Sequence, residues 1–178
     1  MKRNALKKTA SVVGIYASLL GIEHGVFEIL QGDVNPTGMM INAIGPPCQP
    51  AEVWHACFPA LTVIPSFLRS GILTILISLS IMIWAVGFVD RKFGGMVLFL
   101  LSILLLPVGG GFVPMFFGIL AGIAGKRIHA PLTWWRNRSK NMVRFFAVLW
   151  PWDLILLVAW FPGSWIIGHF FGQAILRI

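Results

Sequence analysis

Three ionisable side chains, Glu23, His24 and Glu28, lie inside the first long apolar run of the chain, Thr9 to Gly32. Asp153 and His169 sit in later apolar runs. Carboxylates and imidazoles in such settings relay protons, bind cations or ligate metals. A charge near the middle of a bilayer costs roughly 3 kcal/mol on insertion scales unless it faces protein or water. The five residues are therefore read as a candidate intramembrane polar site. His24 and Glu28 are four positions apart, so a helix makes them neighbours. Glu23 points to nearly the opposite face, with Asp153 or His169 as its expected neighbours. Arg69 is a candidate outer ion-pair partner for Glu28 or Asp33, unless it snorkels to the headgroups.

Positioning these groups requires long apolar elements. The chain has 178 residues, 57% hydrophobic and 11% charged. A soluble domain has about 25% charged residues, so this chain lacks the polar surface for water. The fold class expected is an all-α integral membrane protein, a bundle of about five to six transmembrane helices with short hairpins after the second. The helices are expected at about 9–31, 70–89, 92–107, 112–126, 143–161 and 164–176, in one polytopic domain. The first is read as an uncleaved helix rather than a signal peptide, because its run is long and contains acids.

Within the first helix, Gly14, Ser18, Gly21, Gly25, Glu28 and Gly32 alternate four- and three-residue spacings and form one stripe. Such a stripe lets another backbone approach closely in lipid. Gly118, Gly122 and Gly125 give a second close-packing face. Pro107 and Gly109–Gly111 break the run Phe93–Gly125, because proline and consecutive glycines oppose helix continuation. A hairpin is preferred there over a single crossing, since both flanks are basic. Pro151 is expected to kink or start a helix, and Pro162-Gly163-Ser164 to form a turn before a short final segment.

The net charge of +8 does not point to nucleic acid. All of the 14 Lys and Arg except Arg69 flank apolar runs, as the positive-inside bias places them. The N-terminus and the basic connector 127–142, with Trp134 and Trp135, are expected on the cytoplasmic face of the plasma membrane. The loop 32–69 is then extracytoplasmic, where Cys48 and Cys57 would form a disulfide. His55 beside them makes a metal site a weaker alternative. The partners expected are membrane lipids, anionic headgroups at the basic face, and a protein partner or further copies of this chain.

Three functions fit. The first is a non-catalytic accessory or structural membrane protein, in which the ionisable groups pair with each other or with backbone. The alternative is a small-solute, ion or proton pathway lined by Glu23, His24, Glu28 and Asp153. The second alternative is a membrane-embedded metal or redox enzyme with His24, Glu28 and His169 as ligands. The sequence holds no H-E-x-x-H, G-x-S-x-G or C-x-x-C motif. No catalytic residue, resident metal or cofactor is therefore expected.

Overall fold

The structure, a computed structural model, describes residues 2–42, 58–131, 133 and 138–175. Five helices are described: α1 (Lys2–Leu30), α2 (Phe67–Gly87), α3 (Gly94–Leu105), α4 (Phe112–Lys126) and α5 (Lys140–Ile175). A two-stranded antiparallel sheet, β1 (Met40–Asn42) and β2 (Pro59–Leu61), lies in the connection between α1 and α2. Three segments are long and apolar enough to cross a membrane: Ala5–Leu30, Phe67–Gly87 and Lys140–Ile167. The helices α3 and α4 are shorter apolar elements.

The ends of the helices have local causes. Helix α1 stops at Gly32, whose φ of 82° places it in the left-handed region that glycine adopts without cost. Ser66 caps α2 by accepting a hydrogen bond from the Arg69 backbone N–H at 3.3 Å. Its hydroxyl donates in turn to Asp33. Asp33 is thus held by a serine, and the exposed Arg69 forms no ion pair with Asp33 or Glu28. This corrects the ion-pair expectation: the cap forms locally, whereas a pair with Glu28 would require an exposed guanidinium to enter the core.

Small residues set the packing. Gly25 and Gly71 cross backbone to backbone, so that a methyl added at Gly25 would lie 2.8 Å from the Gly71 carbonyl oxygen. One added at Gly14 would lie 2.7 Å from the Ala85 Cβ. The stripe on α1 therefore faces α2 and the α3–α4 pair. Gly125 packs on Gly95, and Gly118 on Ser102, which makes α3 and α4 an antiparallel hairpin. The fully buried core includes Ala10, Ala17, Ala85 and Ala121, while Leu76, Ile83, Leu100, Phe116 and Leu156 point outward. Ile81, Leu98 and Leu105 are fully buried beside the alanines, and the small residues allow the close approach that drives helix association in lipid.

The last helix differs from expectation. Two segments, 143–161 and 164–176, are predicted, yet α5 runs unbroken through Pro151 and Pro162. In an apolar environment an exposed backbone has no water to bond, so prolines are tolerated within helices that would end in water. Trp150 on α5 donates to Thr9 at 2.8 Å, Phe161 packs edge-on to Tyr16, and Trp165 stacks on Phe27. These pairs climb both helices together, so α5 runs parallel to α1 and ends opposite the N-terminus, not beside it.

One end of the bundle gathers charge. Lys7 bonds Asp90 at 2.6 Å, and the His129 ring contacts the Asp90 carbonyl at 2.7 Å. The hydrogen bond from Lys7 holds the Asp90 carboxyl below its usual range. Its stabilising contribution is therefore complete above the ordinary carboxylate range and is lost as pH falls through the depressed value. The melting-temperature gap between wild type and Asp90→Asn, measured in detergent, is expected to be small at neutral pH. It should close in acid and shrink in ~1 M salt. A gap independent of pH would contradict this role for the pair.

Candidate functional site

The chain's two oddest sequence features meet. The break between α3 and α4 carries two glycines at positive φ, Gly109 at 108° and Gly111 at 79°. A methyl at Gly109 would overlap the Glu28 carboxylate, and one at Gly111 would lie 2.7 Å from His24 Nε2. Proline and glycine thus do more than turn the chain. They leave room for a carboxylate and an imidazole from α1.

The break is fixed from two sides. The Val108 carbonyl accepts hydrogen bonds from Ser70 at 2.6 Å and Thr74 at 2.7 Å, both on α2. Thr62 bridges to Val108 and contacts the Ser70 hydroxyl at 2.8 Å. The Val63 backbone N–H bonds the Pro107 carbonyl at 2.8 Å. Carbonyls freed by the end of α3 thereby find donors without water.

Glu28 is fully buried and His24 is 4% exposed. Neither Glu28 oxygen and not His24 Nδ1 has a hydrogen-bond partner among the described residues. Ser70 approaches Glu28 but gives its one proton to Val108. The Ser78 hydroxyl, packed against Gly21, is likewise buried and unpartnered. A buried polar group left unsatisfied costs about 1–3 kcal/mol. Four such atoms in one seam are costly for a small bundle. Below Glu28 the seam continues as fully buried hydroxyls of Ser70, Thr74, Ser78, Ser18 and Ser102.

A pocket of about 90 Å³ adjoins the seam. Glu23 and His24 both line it, with Tyr16, Phe58, Trp160 and Ser164. Trp165 lies beside Glu23. Spacing on α1 alone separates Glu23 from the seam. The packing of α4 and α5 on the flanks of α1 closes one cavity over both residues.

The other sequence candidates fall elsewhere. Asp153 is exposed on α5 and does not line the pocket. His169 lies within α5, and its side chain is outside the described residues. Cys48, His55 and Cys57, with the expected disulfide, lie outside them as well, as do Trp134 and Trp135. Among the described residues no three His, Cys, Asp or Glu side chains form a metal-holding group. Sequence reasoning missed Ser70, Thr74 and Ser78. Their four-residue spacing along one face of α2 was the available signal. Comparison with protein-family models, curated proteins and solved structures finds no match.

Proposed function

We propose that this protein is a small integral membrane transport protein that moves protons through the seam of Glu23, His24 and Glu28. One observation carries the reading: four buried polar atoms on His24, Glu28 and Ser78 have no partner among the described residues, beside a pocket that holds Glu23. An accessory role, with these groups simply paired, asks for partners that the described residues do not supply. Protons satisfy such groups in turn, and buried carboxylates and histidines in membrane spans mark proton relays. The pocket with Glu23 is the entry. His24 and Glu28 are the buried carriers, and the hydroxyl row of α2 leads toward the basic end. The positive-inside bias makes that end, with Lys7, Arg91, Lys92 and Lys126, cytoplasmic.

Reconstituted vesicles with an entrapped pH dye test this directly. Under an imposed potential, wild-type protein is expected to dissipate a proton gradient. Glu23→Gln and Glu28→Gln should slow it at least ~100-fold, the low end for loss of a positioned proton carrier. Asp153→Asn, at an exposed position that does not line the pocket, should leave the rate unchanged. Undiminished flux in both glutamine variants would overturn the proposal.

A further inference from the structure

The pocket has a composition that narrows what else could enter it. It brings one carboxylate, Glu23, together with three aromatic side chains, Tyr16, Phe58 and Trp160. Among the described residues no lysine or arginine lines it. The Ser164 hydroxyl donates to the Phe161 carbonyl at 2.9 Å and so faces any guest as an acceptor. His24, nine-tenths buried with Nδ1 unpartnered, closes the side toward the seam.

From this arrangement we infer that the pocket binds a small organic monocation, an alkylammonium, with its charged nitrogen at Glu23 and its alkyl groups against Tyr16, Phe58 and Trp160. An anion would meet Glu23 without a compensating cation. A bare metal ion requires several oxygen ligands and a costly dehydration, which aromatic walls do not repay. An alkylammonium is weakly hydrated, and its charge is attracted to aromatic rings. The volume of about 90 Å³ equals roughly three waters, enough for an ammonium bearing a few carbons. The inference rests on the proton-pathway reading for its consequence: a bound ammonium and a proton would compete for Glu23, which is the arrangement an exchanger needs.

Calorimetric titration of the full-length protein in detergent with ethylammonium chloride tests it, with sodium chloride as the ionic-strength control. Saturable binding of ethylammonium, absent for sodium, is expected. Glu23→Gln should weaken it at least tenfold. Trp160→Leu should weaken it about three- to fivefold, the size of an exposed cation–π contact, and Trp160→Phe should restore most of that loss. No saturable binding by wild type, or binding unchanged in Glu23→Gln, overturns the ammonium site. Proton flux lost in Glu28→Gln without ammonium binding sinks the site and keeps the pathway. Ammonium binding without proton flux keeps the site and sinks the pathway.

Discussion

Glu28→Leu is expected to leave the protein as stable as wild type or more so, while abolishing proton flux. Most core substitutions destabilise, by about 0.5–3 kcal/mol. Here the native residue is the anomaly. Its carboxyl is fully buried, and both oxygens lack a partner among the described residues. Removing it relieves a desolvation cost of about 1–3 kcal/mol. Leucine fills most of the space against Gly109 and Ser70, and apolar replacement of buried ionic groups is often neutral or stabilising. Thermal unfolding in one detergent, paired with vesicle flux, checks both halves. A loss above about 2 kcal/mol with flux retained would make Glu28 a structural residue.

Gly109→Ala is expected to lose both fold stability and transport. The φ of 108° is left-handed, where an L side chain costs about 1–2 kcal/mol. Its methyl also overlaps the Glu28 carboxylate. Overpacking adds about 1–3 kcal/mol, giving about 2–5 in total. The two causes separate in a double-mutant cycle. In a Glu28→Ala background the steric part disappears and the backbone part stays, so the same substitution should cost about half as much. Equal cost in both backgrounds would mean that Gly109 serves the turn alone.

Much of the architecture is local and therefore legible in the sequence. Apolar runs of 20 residues announce long helices, and Pro107 with Gly109–Gly111 announces a break wherever it sits. The four-three stripe on α1 identifies a close-packed face, because helical periodicity needs no tertiary information. What sits across that face is not local. The Val108 carbonyl, the α2 hydroxyls and the glycines that admit Glu28 and His24 come from distant segments. The continuity of α5 misleads for a related reason. Proline reads as a stop under rules learned in water, whereas helices long and apolar enough to cross a membrane tolerate it. Glu23 shows both limits at once: its angular position on α1 is calculable, but its pocket is completed by Phe58, α4 and α5.

The central claim is that Glu23 and Glu28 form a protonatable path rather than a sealed packing seam. A membrane-permeant carbodiimide reacts with protonated carboxyls that it can reach. Treating the reconstituted full-length protein with dicyclohexylcarbodiimide and mapping the adduct by peptide mass spectrometry is the most direct measurement. Modification of Glu23 or Glu28, with flux inhibited in proportion and the rate falling as pH rises, is expected. Both carboxyls unmodified in the folded protein, and modified only after denaturation, would contradict a proton path through this seam.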